Sequence, residues 1–291
     1  MMPNHATKLL RHVGKVRPNW TPQNVRFSRI PCALSNEVYC ASHGDQKLLL
    51  RVYGSTAHGF FAREEEVRRS RTLGDLGFGP KVLHSFDEGR IEAWIDGQTP
   101  SNEAMRSPEG MRKIARKLRS LHDKTGMNHN DLHRNNMLFM SDGGVEFLDF
   151  EFAGAADETF DIANHFNEWM YPYTGPEQHI PHQGLYPSRA QQREFCSQYL
   201  GETAGRGHVL DDFVEQVERR GQDSHAFWIA WAERTGPSDF NDLYAKARRK
   251  LLREERTLLD AHQVIESLQV GLGVLGALLK PTKVSPPERA C

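Results

Sequence analysis

The sequence predicts an α+β protein of two unequal lobes, a small lobe on an antiparallel sheet followed by a larger helical lobe. Three observations point to it. Short strand-like runs closed by Gly-containing turns occupy the chain up to about residue 97. Leu and Ile at helical spacing dominate from residue 107 and again from about Tyr186 to Leu279. A linker near residues 95–100 separates the two patterns. The expected division is therefore 1–97, 98–280 and an unstructured tail at 281–291.

The elements follow in order. "EVYCAS" (37–42) and "KLLLRVYG" (47–54) read as strands joined by the polar turn "HGDQ". "FAREEEVRRSRTLGDLG" (61–77) reads as a helix with Phe61, Val67 and Leu73 on its apolar side, ended by Gly77 and followed by Pro80. "KVLHSFDEGRIEAWID" (81–96) reads as a hairpin turning at Glu88-Gly89. "SPEGMRKIARKLRSLHDKTG" (107–126) reads as a helix with Ser107 as N-cap and Pro108 in its first turn. "NMLFM" (136–140) and "VEFLDF" (145–150) are short strands around "SDGG", and "LYPSRAQQREFCSQYL" (185–200) opens the helical remainder.

Bulk properties narrow the function. The 291 residues carry 37 Lys+Arg against 38 Asp+Glu, a formal net charge of −1, so no strong field draws the chain to nucleic acid or an anionic membrane. Cys32, Cys40, Cys196 and Cys291 lack metal-site spacing and read as thiols in a reducing, cytoplasmic setting. The first fifteen residues lack the apolar stretch of a signal peptide, and "VGLGVLGALL" (270–279) is too short to span a bilayer.

The chemistry concentrates in "HNDLHRNNML" (129–138) and "VEFLDFEFAG" (145–154). Asp131 precedes Asn136 by five residues, and Asp149 ends the next strand. One carboxylate to take a hydroxyl proton, with a carboxylate and an amide to hold Mg²⁺, is the minimum set for phosphoryl transfer. A polar turn capped by Asn and Asp would explain one motif alone, but the paired motifs at this separation favour a site between the lobes. Arg51, on the second strand, is the candidate phosphate contact, with Glu66 of the following helix as its expected partner, unless Glu64–Glu66 and Arg68–Arg71 form a solvated face of i,i+4 pairs. "CALSNEVY" stands where a phosphate-covering loop belongs; it lacks glycine, and Ser35 and Asn36 are its candidate donors. Trp228 and Trp231 are three apart, hence on one helical face, where two indoles either pack in a core or wall a cage for an ammonium group.

The loop is similar to the catalytic loop of protein kinases, with His-Asn-Asp for His-Arg-Asp and Asp-Phe-Glu for Asp-Phe-Gly, changes that point to small-molecule kinases of the protein-kinase-like fold. "HNDLHRNNMLF", "LDFEFAG", "FDIANHFNEWMYPY" (160–173) and "HAFWIAWAE" (225–233) resemble the choline/ethanolamine kinase family, and the resemblance runs from about residue 31 to 250. It implies ATP- and Mg²⁺-dependent phosphorylation of an amino alcohol, choline slightly ahead of ethanolamine, for phospholipid synthesis. By motif match Asp131 is the expected base, and Asn136 and Asp149 the metal ligands with support from Glu151. Asp161 is the expected brace of the loop, and Glu168, Tyr173, Trp228 and Trp231 line the amine pocket. The adenine is expected against Trp94–Gly97. The chain departs from the family in its glycine-poor phosphate loop and in a shortened segment after Trp231, where Phe240 and Tyr244 offer no clear equivalent of a further cage tyrosine. A kinase of another small hydroxyl substrate and a non-catalytic nucleotide-binding homologue stay open as alternatives. So does a homodimer.

Overall fold

The computed structural model describes residues 6–30, 36–54, 63–155, 157–173, 175, 177–204 and 206–254. Ser35, Phe61, Cys32, Cys291 and the apolar run 270–279 lie outside them.

A five-stranded antiparallel sheet forms the first part, in the order β1-β2-β3-β5-β4. Its strands are β1 Arg26–Ile30, β2 Asn36–His43, β3 Gln46–Tyr53, β4 Val82–Phe86 and β5 Gly89–Ala93. The β2–β3 turn is "HGDQ" as read, with Gly44 at φ 56°, a left-handed conformation glycine adopts without penalty. The second hairpin corrects the sequence reading, since it turns at Asp87-Glu88 and Gly89 pairs with Phe86 and Val52. That glycine answers a close approach rather than a turn, because a Cβ there would sit 2.3 Å from the Arg51 carbonyl oxygen.

Alternation along the strands divides the sheet into two faces. Leu48, Leu50 and Ile91 join Tyr39 and Ala41 under α1 Ala6–Val16, whose Leu9 and Val13 are buried with Trp20 and Val25. Neither α1 nor β1 was read from the sequence. The opposite face carries Arg51, paired in register with Arg90, and nearby Glu92, all three buried.

Helix α2, Arg63–Asp75, starts on Glu64, Glu65 and Glu66, which suit a helix N-terminus. It breaks at Gly77 (φ 78°), and Leu73 and Phe78 pack not with the small sheet but with Ile114, Leu118, Phe147 and Phe150. The short α3, Asn102–Arg106, leads to α4, Pro108–Thr125. Ser107 caps α4 by accepting from Gly110 N, and Gly126 closes it at φ 63°. Strands β6 Met137–Phe139 and β7 Val145–Phe147 form a separate hairpin. Helices α5 Glu158–Glu168, α6 Arg189–Ala204 and α7 Gly207–Thr235 complete the helical part, with a last helical run at 239–254. Ile114, Leu118, Phe166, Phe195 and Val214 are fully buried in its core. Among the described residues no helix is long and apolar enough to cross a membrane, and Cys40 and Cys196 form no disulfide.

Candidate active site

The loop between α4 and β6 is held from below by α5. Asp161, fully buried in its first turn, accepts from His129 N (2.7 Å) and Asn130 N (2.9 Å) and meets His122 Nε2 at 3.0 Å. Burial alone would raise this carboxyl, but His122, His129 and the backbone N–H outweigh it and hold it below the usual range. Asn130 takes φ 64°, and Asp149 and Tyr173 take 61° and 56°. These are the only non-glycine residues with positive φ among the described residues, and all three belong to this region, where backbone strain of this kind concentrates.

The fixed loop presents Asp131. Asn136 Nδ2 donates to the Asp131 carbonyl oxygen (2.9 Å) and to its Oδ2 (3.0 Å). Leu148 N donates to Asn136 O at 2.8 Å, which ties the loop to the segment carrying Asp149 and Glu151. Burial, then Glu168, Glu151 and Asp149, push the Asp131 carboxyl well above its ordinary range. Glu151 is pushed up to about 8 by burial and by the Asp149 carboxylate. Asp149 is lowered: burial opposes ionisation there, but Arg51 and Arg90 prevail.

Arg51 therefore does not pair with Glu66. Its Nη1 lies 3.2 Å from Asp149 Oδ2, while Glu66 takes Arg90 Nη1 at 2.6 Å and Glu92 takes Arg90 Nε at 2.5 Å. Two arginines stand side by side on one sheet face, and the one on β5 takes the α2 glutamate. Sequence reasoning counted only one of them. Arg69 of α2 reaches further, donating to the carbonyl oxygens of Ala153 and Glu151 beyond Asp149. Asn36 begins β2 and is buried, next to residues outside the described set.

At the other end lies an aromatic cluster. Glu168, the last residue of α5, is buried between the Tyr173 hydroxyl and Arg248 Nη2. The Trp228 indole N–H donates to Asn164 Oδ1 (2.7 Å), and its ring meets Trp231 edge-on at 5.5 Å. Tyr244 stands 6.4 Å from Trp231 and stacks on Phe240, so the shortened segment does deliver a tyrosine to the cluster, contrary to the sequence reading. Arg248 was missed entirely. It is fully buried, lies over the rings of Tyr171 (4.7 Å) and Tyr244 (5.0 Å), and accepts no water exposure for its charge. Its only sequence signal is its spacing of four from Tyr244 on one helical run. His133 was also missed. Its ring stacks on Tyr173 (4.2 Å, 10°), and burial brings it down to about 4, so it is neutral at pH 7.

Comparison with known proteins gives three findings. Residues 27–127 and 121–251 match the family model described as choline/ethanolamine kinase. In sequence, the chain is 27% identical to "Probable choline kinase 1" of Arabidopsis thaliana over 79% of this chain and 86% of that protein. It is 26% identical to "Ethanolamine kinase 2" of Mus musculus over 77% and 73%. In structure, it resembles choline kinase from Cryptosporidium parvum Iowa II with a TM-score of 0.77 at 19% identity, covering 89% of this chain and 97% of that one, which gives both the same kinase-like fold.

Proposed function

The chain belongs to the choline/ethanolamine kinase family, and on that premise we propose that it transfers the γ-phosphoryl group of ATP to the hydroxyl of an amino alcohol, choline in preference to ethanolamine. One observation carries the reading: a partly buried carboxylate, Asp131, with one oxygen occupied by Asn136 lies in the same site as an aromatic and acidic cluster, with Tyr173 stacked on His133 between them. Among the described residues no donor reaches Asp131 Oδ1, which leaves that oxygen for the substrate hydroxyl. Asp131 orients the hydroxyl and accepts its proton during in-line attack.

Among the described residues no three His, Cys, Asp or Glu side chains are arranged to hold a metal by themselves. That suits Mg²⁺, which takes one or two protein carboxylates and completes its shell with phosphates and water. Asn136, Asp149 and Glu151 would hold it, and the raised Glu151 marks the excess negative charge that a divalent cation offsets. When bound, Mg²⁺ supplies charge neutralisation across the phosphates. Arg51, with Ser35 and Asn36, contacts the phosphates, and the adenine lies against Trp94–Gly97 between a nucleotide lobe of 1–97 and a substrate lobe of 98–280. Glu66 serves this end indirectly, by engaging Arg90 beside Arg51.

The surroundings of Glu168 favour choline slightly. Both of its oxygens already accept, one from Arg248 and one from Tyr173, and Arg248 cancels its charge. A primary ammonium needs acceptors; a trimethylated one needs aromatic faces, which Tyr173, Trp228 and Trp231 supply.

The test is ADP release from Mg²⁺-ATP with choline, with ethanolamine and with neither, using Asp131→Asn as control. Turnover with choline exceeding ethanolamine, and lower in the variant by at least about 10²-fold, is the expected result. Full activity in Asp131→Asn removes the base assignment. Nucleotide binding without turnover on either amine removes the reading altogether.

A further inference from the structure

Nothing in the reaction as derived uses His133, yet its ring is fixed on three sides. Asn135 N donates to Nδ1 at 3.2 Å, capping the short 3₁₀ turn Arg134–Asn136. That bond puts the ring proton on Nε2. Nε2 faces Asp131 Oδ2 at 3.7 Å. One face of the ring lies flat on Tyr173, centroids 4.2 Å apart and planes 10° from parallel. Tyr173 in turn donates its hydroxyl to Glu168 and holds a left-handed backbone at φ 56°.

We propose that His133 is a positioning residue that couples occupancy of the amine subsite to the orientation of Asp131, with Tyr173 as the transmitting surface. The inference rests on the site being an amino-alcohol kinase. At 3.7 Å the Nε2–H stands just beyond hydrogen-bond reach of Oδ2, so a small shift of the ring closes the bond. An ammonium group seated against Tyr173 holds that ring on the imidazole. The imidazole then closes on Oδ2, and Oδ1 is turned to the hydroxyl. Asn136 Nδ2 shares Oδ2 at 3.0 Å, so the two donors together fix the carboxylate plane.

Three substitutions separate this role from a structural one. His133→Phe keeps the face against Tyr173 and removes the donor. It is expected to lower kcat about tenfold with KM for the amine near that of the wild type. His133→Gln restores an N–H at similar reach but loses the ring face. It is expected to recover part of the kcat lost in His133→Phe while raising KM about threefold to fivefold. His133→Asn keeps a cap for the Asn135 N–H and loses both other contacts, so it is expected to change both constants. Thermal unfolding of each variant shows that it is folded before kinetics are read. Equal effects on kcat and KM in His133→Phe and His133→Gln, or wild-type kinetics in His133→Asn, overturn the proposal while leaving the amine-kinase reading intact. A wild-type protein that turns over neither amine overturns both.

Discussion

Glu168 and Arg248 form a charge pair withdrawn from water, with side chains 3% and 0% exposed. Removing one partner of such a pair leaves a buried charge uncompensated, which costs far more than the pair contributes. Arg248→Met is therefore expected to destabilise the protein by about 3–5 kcal/mol. The double substitution Glu168→Gln with Arg248→Met should be less destabilised than the sum of the two single changes, and urea unfolding of the four proteins measures the difference. Strict additivity would mean that the two side chains do not share their charge. This pair also marks how far residues were legible. Asp131, Asn136, Asp149 and Glu168 stand in short contiguous motifs, so their chemistry is visible in the sequence. Arg248 lies 80 residues from Glu168, and only folding makes them neighbours. The partner of Arg51 depended in the same way on strand register, because Arg90 faces Arg51 only once β3 pairs with β5.

Among the elements, α5 bears most of the site. Its first turn braces the catalytic loop through Asp161, and its last residue enters the amine pocket. Between them His165 is fully buried, with Nδ1 at 2.9 Å from Leu132 O and Nε2 accepting from the Trp169 indole at 3.2 Å. Protonation would turn that acceptor into a donor facing a donor. Burial accordingly holds His165 down to about 4. The unfolded chain binds this proton near pH 6.5, so between about 6.5 and 4 it carries a proton the native state lacks. Stability from this residue is fully present above pH 6.5 and is lost as pH falls towards 4, by on the order of 3 kcal/mol. His133 contributes with the same sign, and Glu151, raised to about 8, with the opposite sign, losing stability as pH rises. Urea unfolding at pH 7.5 and pH 5 should show a smaller drop in His165→Gln than in wild type; an equal drop rejects the assignment. Asp161→Asn, which turns one acceptor of two backbone N–H groups into a donor, should cost about 1–3 kcal/mol and most of the activity, seen by the same unfolding assay and by ADP release. At this scale the sequence was readable where a cap, glycine or periodicity announced an element, as for α4 with Ser107 and Pro108. It was unreadable for α1, whose Leu9 and Val13 show one apolar stripe too short to distinguish from a solvated segment until the sheet covers it.

Among the described residues the apolar side chains gather in a sheet core, a helical core and the aromatic cluster around Trp228. The sheet core comprises Leu48, Leu50, Ile91 and the α1 residues, while Leu73 and Phe78, though they precede β4, belong to the helical core. A division by chain order at residue 97 leaves this crossing out, because Leu73 at helical spacing shows only that some surface covers it, not which one. The crossing has a consequence for function. With its end packed on Phe147 and Phe150, and Arg69 bonded to the carbonyls of Ala153 and Glu151, α2 is tied to the segment that carries Asp149, while Glu66 and Arg71 tie it to the sheet through Arg90 and Ser85. Leu73→Ala and Leu50→Ala both delete fully buried leucine side chains, and each should cost about 2–5 kcal/mol. Their effects should differ in place. Native-state hydrogen exchange should show Leu73→Ala accelerating exchange in α4 around Ile114–Leu121 and at Phe147, with β2 and β3 less affected, and Leu50→Ala doing the reverse. Loss of protection confined to the sheet in Leu73→Ala would place α2 with the small core, and the Arg51–Asp149 contact would then join two bodies that α2 does not bridge.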